Sequence, residues 1–118
     1  MTIHKDLNAW KNSIELVTAI YKITESYPKE EKYGLVDQIR RSAVSLPSNI
    51  SEGAARGHNK EFVQFLYIAL GSLSELETQL IISKNLSFLN ADNFEQLVNK
   101  MNVIRSQLSG LIRYLKEK

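Results

Sequence analysis

The chain has 118 residues, of which 43% are hydrophobic and 24% are charged, and its formal net charge is +2. These values are typical of one globular domain with its own core, rather than of a disordered or membrane-spanning chain. Because the sequence contains no cysteine, disulfides, thiolate chemistry and the common cysteine-containing zinc sites are excluded. We therefore expect a single domain over residues 1–118.

The N-terminal residues and the apolar runs bear on localisation. The segment from Met1 to Asp6 has no apolar stretch behind its charge, so it does not predict a signal peptide. The longest purely apolar run extends from Phe65 to Leu70, far short of the roughly 20 residues that a membrane-spanning helix needs. We predict a cytoplasmic protein with no membrane partner, and the absence of cysteine is compatible with that compartment.

The first two predicted helices are separated by Pro28 and a charged connector. Asp6 is a candidate N-cap for the first helix, whose apolar positions step by three and four residues: Trp10, Ile14, Val17 and Tyr21. The second helix ends before Gly57, since glycine readily adopts the left-handed conformation just past a helix end. Its apolar positions are Leu35, Ile39, Ala43, Leu46 and Ile50.

Pro47 lies in the middle of the second predicted helix, where proline removes a backbone donor and clashes with the carbonyl four residues earlier. In an ordinary helix this costs on the order of 3 kcal/mol. We expect a kinked helix in which nearby serines bond the freed carbonyls: Ser42, Ser45, Ser48 and Ser51. The alternative is that Pro47 begins a separate short helix, where its missing donor is harmless.

The third and fourth predicted helices are longer and more regular. Asn59 is a candidate cap for the third, which runs from Lys60 to about Asn85 with one apolar stripe: Phe62, Phe65, Ala69, Leu73, Leu76 and Leu80. Asp92 and Glu95 resemble a capping box for the fourth, whose apolar positions are Phe94, Leu97, Met101, Ile104, Leu108, Leu111 and Leu115. Four helices with short connections predict an all-α, antiparallel up-and-down four-helix bundle with its second helix kinked near Pro47.

A second apolar stripe on the third helix lies roughly 120 to 140° around the helix from the first. Its members are Val63, Tyr67, Leu70 and Ile81. Because a monomer seldom exposes a contiguous apolar strip of that length, we predict that these residues form an interface between chains of an oligomer. A wide interface within one chain is the alternative. Gly71 and Ser72 would permit a neighbouring helix to approach closely.

The titratable residues show no catalytic or metal-binding pattern. His4 and His58 lack a second histidine at helical spacing, and no Glu-x-x-His motif occurs. Glu75 and Glu77 are two residues apart on a helix, so they point away from each other and cannot act as a pair. The sequence also lacks a phosphate-binding loop, a dinucleotide fingerprint and a nucleophile elbow. We predict a non-catalytic protein with no cofactor or metal; an active site between subunits is the remote alternative.

Basic residues are concentrated in one segment despite the small net charge. Residues 38 to 60 contain one acid, Glu52, against four basic residues: Arg40, Arg41, Arg56 and Lys60. Arginine suits phosphate because its planar fork can bind two oxygens at once, so we take these four residues as candidate nucleic-acid contacts. The competing prediction is that Arg40 or Arg41 pairs with Glu75 or Glu52 across helices.

Two blocks of the sequence are distinctive beyond their helical period. One extends from Gln38 to Gly53, and the other joins Glu61-Phe62 to the segment from Ala69 to Leu80. The blocks and their spacing resemble the four-helix-bundle family of 23S rRNA intervening sequence proteins, over nearly the whole chain. The resemblance implies an up-and-down bundle that assembles as a homopentamer. Members of the family can be encoded within inserts in bacterial large-subunit ribosomal RNA genes.

The family resemblance also bears on the partner. A similar fold occurs in the accessory variability protein of diversity-generating retroelements, a pentameric barrel that works with a reverse transcriptase and binds nucleic acid. The resemblance supplies no functional residues to carry over to this chain. The leading prediction is a non-catalytic oligomeric module that binds structured RNA or DNA through backbone phosphates. The alternative is a protein-interaction scaffold that binds no nucleic acid.

Overall fold

The structure is a computed structural model that describes residues 7–117. This range contains four α-helices, one short 3₁₀ helix and no strand, which confirms the all-α prediction. The helices are α1 (Asn8–Thr24), α2 (Leu35–Ala55), α3 (Asn59–Asn85) and α4 (Ala91–Lys116), and the 3₁₀ helix spans Lys29–Glu31 between α1 and α2. Each α-helix packs against two others: α1 and α3 both contact α2 and α4.

The N-termini of α3 and α4 lie within a residue or two of the predicted positions, but the capping residues differ. Asn90, rather than Asp92, caps α4, because its side chain accepts a hydrogen bond of 2.7 Å from the backbone N–H of Asn93. Asn59 is the first residue of α3, and its N-cap is His58, whose side chain makes no capping bond. The capping-box prediction at Asp92 is therefore wrong by two residues.

The buried face of α1 is displaced by one residue from the predicted stripe. The buried residues are Ala9, Ser13, Leu16, Ile20 and Thr24, whereas Ile14 and Tyr21 are each 39% exposed. Ser13 and Thr24 tolerate burial because their hydroxyls donate to the carbonyls of Ala9 and Ile20, at 2.6 and 2.8 Å. A displacement of one residue corresponds to a rotation of about 100° around the helix axis. The predicted cap Asp6 lies outside the described residues.

Helix α2 continues without a break through Pro47, which is buried, so a separate helix beginning there is wrong. Two of the serines around the proline bond α3 instead of the freed carbonyls. Ser42 Oγ donates to Glu75 Oε1 at 2.8 Å, and Ser45 Oγ lies 2.6 Å from Ser72 Oγ. Both hydroxyls therefore hold α2 against α3, which is not the role that the sequence predicted for them.

A glycine allows α2 and α3 to approach closely. A Cβ atom on Gly53 would lie 2.7 Å from Phe65 Cβ and 2.9 Å from Phe62 Cδ1, both shorter than ordinary carbon contacts. Gly71 shows the opposite situation, because a Cβ there would meet no atom within 4 Å. Within the described residues, α2 and α3 therefore approach closely at Gly53 and at Ser72, whose hydroxyl lies 2.6 Å from that of Ser45, whereas no atom lies close to the Cβ position of Gly71. Gly57 has a φ of 79°, which confirms the left-handed stop after α2.

All four helices contribute to the core. Its fully buried large side chains are Leu16, Ile20, Ile39, Leu46, Ile50, Leu66, Leu73, Leu76, Leu80, Met101, Ile104 and Leu108. Each contributes about 1.5 to 3 kcal/mol relative to an exposed side chain, so this cluster is the main source of stability. The stripes predicted on α2 and α4 face it, and so does the α3 stripe from Ala69 onward. Nearer the start of α3 the buried residues are Val63 and Leu66, whereas the predicted Phe62 and Phe65 are only partly buried.

Helix α3, 27 residues long, is apolar enough to cross a membrane by length and composition alone. The core helix of a globular bundle meets the same criterion. One face of α3 is buried against the other helices, from Val63 through Leu73 to Leu80. This packing accounts for much of its apolar composition.

Candidate nucleic-acid interface

The four candidate phosphate contacts lie at the two ends of α2. Arg40 and Arg41 are in its first two turns, Arg56 follows its last residue, and Lys60 is in the first turn of α3. At a rise of 1.5 Å per residue, Arg41 and Arg56 are separated by about 22 Å along the helix axis. The structure therefore brings the four residues together as two pairs and not as one cluster.

Arg40 is fixed at the contact between α1 and α2. Its Nε donates to Thr24 Oγ1 at 3.0 Å, and its Nη2 donates to the Tyr21 carbonyl oxygen at 3.2 Å. Its guanidinium carbon lies 4.4 Å from the centroid of the Tyr21 ring, a cation–π contact. All three contacts are with uncharged groups, and no carboxylate within residues 7–117 pairs with Arg40. Its positive charge is therefore uncompensated by a direct ion pair.

Arg41 is more exposed and pairs within its own helix. Its Nε lies 3.0 Å from Asp37 Oδ2, with the two side chains 79% and 47% exposed. An exposed pair of this kind contributes only about 0.3 to 0.5 kcal/mol, so another anion can replace Asp37 at little cost. Neither arginine pairs with Glu75 or Glu52, and the competing prediction of cross-helix ion pairs is wrong for both.

The far end of α2 is electrostatically balanced. Arg56 Nε lies 3.7 Å from Glu52 Oε2, and Arg56 Nη1 lies 3.7 Å from Glu61 Oε2. The Arg56 guanidinium also lies over the Phe65 ring, 5.0 Å from its centroid. Lys60 is exposed and has no ion pair with any described residue. With two acids beside two bases, this end is a weaker attractor of phosphate than the Arg40 end.

A groove of about 560 Å³ lies between α1 and α2 at the Arg40 end. Its lining combines basic, aromatic and apolar side chains with one acid: Tyr21, Asp37, Arg40, Arg41, Val44 and Ser45. Tyr21 was predicted to lie in the core stripe of α1, so its place beside Arg40 in this groove was not predicted. No sequence signal marks this position, because the rotation of α1 depends on the helices packed against it.

The model of the 23S rRNA-intervening sequence protein family matches residues 5–110 of this chain. The chain belongs to that family. A crystal structure at 1.70 Å of a protein of unknown function, from the S23 ribosomal protein family of Bacteroides thetaiotaomicron VPI-5482, has a similar fold. The two share 24% identity with a TM-score of 0.79, over 88% of this chain and 97% of that one. No curated protein matches the sequence.

In this family member, the four residues of the predicted oligomer interface do not share one surface. Val63 is buried in the core, and Leu70 is partly buried against it. Tyr67 and Ile81 are 50% and 43% exposed. The exposed large apolar residues of α3 are Tyr67, Ile68, Ile81 and Ile82, which we call the outer face of α3. Two of the four predicted residues therefore belong to this face and two to the interior of the bundle.

Within residues 7–117 of this family member, no group of three or more His, Cys, Asp or Glu side chains is placed to hold a metal ion. One tyrosine, Tyr27, is buried after α1, with its ring 5.6 Å from that of Phe88. Burial raises the pKa of Tyr27, and the nearby Ser83 hydroxyl lowers it in part. The Ser83 hydroxyl donates its hydrogen bond to the Gln79 carbonyl oxygen at 2.9 Å. The Tyr27 hydroxyl therefore has no well-formed hydrogen bond among the described residues. This tyrosine is a packing residue.

Proposed function

We propose that this protein is a non-catalytic, cytoplasmic, oligomeric bundle that binds structured RNA or DNA through backbone phosphates. The observation that carries the proposal is Arg40, a guanidinium held by Thr24 and Tyr21 without a carboxylate partner among the described residues. A cation fixed in this way attracts phosphate without losing side-chain entropy on binding. The similar fold of the accessory variability protein of diversity-generating retroelements, which binds nucleic acid, supports a nucleic-acid partner.

The two ends of α2 contribute unequally to the proposed binding. Arg41 can exchange its exposed pair with Asp37 for a phosphate oxygen, next to the fixed Arg40. Arg56 is already shared between Glu52 and Glu61, so it adds less to affinity. Lys60 contributes a solvated charge at the same end.

The proposed assembly is a homo-oligomer, and the family resemblance suggests a pentamer. The outer face of α3 supports it, because four large apolar residues lie exposed along one helix. Gly71 lies between them with open space at its Cβ position, which would allow the backbone of a second copy to approach. Repetition of the Arg40–Arg41 pair around a ring would strengthen the attraction for a polyanion.

The proposed arrangement of the helices is antiparallel and up-and-down, with α2 kinked near Pro47. Along α2 and α3, and along α3 and α4, side-chain contacts pair residues whose numbers run in opposite directions: Ser42–Glu75, Ser45–Ser72, Tyr67–Lys116 and Glu77–Arg105. Pro47 supports the kink because it lacks a backbone donor inside a continuous helix.

A salt titration tests the proposed binding. Fluorescence anisotropy with a labelled RNA hairpin and a DNA duplex should show an apparent Kd that rises with salt, because binding releases counterions. Neutralising both Arg40 and Arg41 by substitution with glutamine should reduce the slope of log Kd against log salt by about 2. Arg113→Gln on α4 removes one positive charge elsewhere and is the control. Absence of binding at low salt, or wild-type affinity in the double variant, would overturn the proposal.

A protein-interaction scaffold is the second candidate, and the outer face of α3 is the observation that favours it. In that case the exposed apolar residues take a different protein as partner. Arg40 then serves only to hold α2 against α1, and Arg41 forms only its exposed pair with Asp37. Affinity capture from cells should then return protein that survives nuclease treatment. Capture of RNA or DNA that is lost when Arg40 and Arg41 are neutralised would favour the first candidate.

A further inference from the structure

We propose that the groove between α1 and α2 takes an unpaired nucleotide, so that the protein prefers single-stranded nucleic acid, or the loops of structured RNA, to a duplex. The inference rests on the proposed function and narrows its ligand. The groove is open to solvent, with a volume of about 560 Å³, so a nucleotide there would lie against its lining rather than be enclosed. A base inside a duplex is stacked and paired and cannot enter such a groove, whereas an unpaired base can.

The phosphate of the nucleotide would lie against Arg40. Two of its nitrogens are engaged, Nε with Thr24 and Nη2 with the Tyr21 carbonyl, and Nη1 donates to no described residue. Because Arg40 lines the groove and its guanidinium is already fixed, Nη1 presents its hydrogens without further ordering of the side chain. Arg41, on the same lining, supplies a second donor once it leaves Asp37.

The base would lie against the apolar and aromatic part of the lining. Val44 and Tyr21 line the groove and are 40% and 39% exposed, so their carbon-rich side chains are accessible to a base. Proteins that recognise unpaired bases stack them on aromatic rings and on arginine guanidinium planes. The Tyr21–Arg40 pair, with 4.4 Å between guanidinium carbon and ring centroid, provides both kinds of surface in one stack. Such stacking does not select a particular base, so we expect little sequence preference.

Asp37 is expected to weaken phosphate binding. It is the only acid in the groove lining, and its carboxylate forms an ion pair with Arg41. A phosphate entering the groove must displace the Asp37 carboxylate from Arg41, and the negative charge of Asp37 then repels it. Replacing Asp37 by asparagine removes this repulsion and frees Arg41 while keeping a side chain of the same size. The proposal therefore predicts that Asp37→Asn binds nucleic acid more tightly than the natural chain. A purely structural role for Asp37 and Arg41 does not predict such a gain.

The test compares a labelled single strand of about 12 nucleotides with the same strand annealed to its complement. The full chain should bind the single strand at least about tenfold more tightly, and Tyr21→Leu should weaken that binding by about 5- to 100-fold, the effect of losing one stacked base. Tyr21→Phe keeps the ring and is the matched control, expected to bind like the natural chain. Asp37→Asn should bind the single strand more tightly.

The outcomes distinguish a failure of the groove proposal from a failure of the proposed nucleic-acid binding. If single strand and duplex bind equally and Tyr21→Leu binds like Tyr21→Phe, the groove proposal is overturned while phosphate binding elsewhere on the protein stands. If neither nucleic acid binds, the proposed function fails, and the groove is then judged by nuclear magnetic resonance titration with adenosine monophosphate. Shifts of the Tyr21, Arg40 and Val44 amides would support the groove, and their absence would overturn it. If Tyr21→Leu unfolds, Asp37→Asn decides: unchanged or weaker binding overturns the proposal.

Discussion

Gly53 on α2 faces Phe65 on α3 so closely that a Cβ atom on the glycine would lie 2.7 Å from the Phe65 Cβ. The two helices form the most extensive helix pair of the described residues, so a forced separation affects much of the core. We expect Gly53→Ala to destabilise the protein by about 1 to 3 kcal/mol, the usual cost of overpacking. Urea unfolding followed by circular dichroism measures this change in free energy.

The control for Gly53→Ala is the same substitution at Gly110, which lies inside α4. A Cβ atom added at Gly110 would meet no atom within 4 Å. Gly110→Ala should therefore stabilise the protein by up to about 1 kcal/mol, because alanine favours the helix and meets no obstacle. Equal stability of Gly53→Ala and Gly110→Ala would contradict the close approach of α2 and α3 at Gly53.

The ion pair between Arg105 and Glu77 links α4 to α3, with Arg105 Nη2 2.7 Å from Glu77 Oε1. Both side chains are 32% exposed, so solvent screens the pair in part. We expect a coupling free energy of about 0.5 to 1 kcal/mol in a double-mutant cycle of Arg105→Met and Glu77→Gln. The coupling should shrink in high salt, and a value of zero at low salt would show that the pair does not stabilise the bundle.

Tyr27 should make the fold sensitive to alkaline pH. Burial raises its pKa above the ordinary value of 10.0, so the native state holds the proton after the unfolded state has lost it. The stabilisation is complete below pH 10.0 and declines as the pH rises through the native pKa. Tyr27→Phe should lose less stability than the natural chain between neutral pH and about pH 11. Tyr33→Phe, at a position that is 86% exposed, is the control and should keep the natural slope.

At neutral pH, Tyr27→Phe also removes a buried hydroxyl that lacks a well-formed hydrogen bond. We expect its free energy of unfolding to equal or exceed that of the natural chain, because an unpaired buried polar group is costly. A loss of more than about 1 kcal/mol would mean that the hydroxyl is satisfied, for instance by a buried water.

The outer face of α3 predicts the oligomeric state. Light scattering at micromolar concentration should give a multiple of the chain mass of 13.5 kDa, and Ile81→Lys should shift the protein toward the monomer. Val103→Lys is the matched control, because Val103 is also exposed and apolar but lies on α4. A natural chain that is already monomeric would exclude the proposed assembly, and equal dissociation by both variants would place the interface elsewhere.

The apolar period predicted the core faces of α2 and α4, and that of α3 from Ala69 onward, because large apolar residues recur there at steps of three and four. On α1 the predicted core face was displaced by one residue from the buried face, which includes Ser13 and Thr24. Their hydroxyls are satisfied by carbonyls of the preceding turn, a bond that any helical serine or threonine can make. Whether such a residue faces the core depends on the neighbouring helices, so the local pattern could not decide it.

The sequence by itself determined the all-α class, the four helical segments, the left-handed stop at Gly57 and the family of the chain. These properties depend on residues near one another along the chain. Only the tertiary structure decided that Arg40 lies on Tyr21, that Gly53 meets Phe65, and that Arg56 is shared between two acids. The first two contacts join different helices and depend on their rotation and axial register. The packing of the whole core sets that register, and no local pattern encodes it.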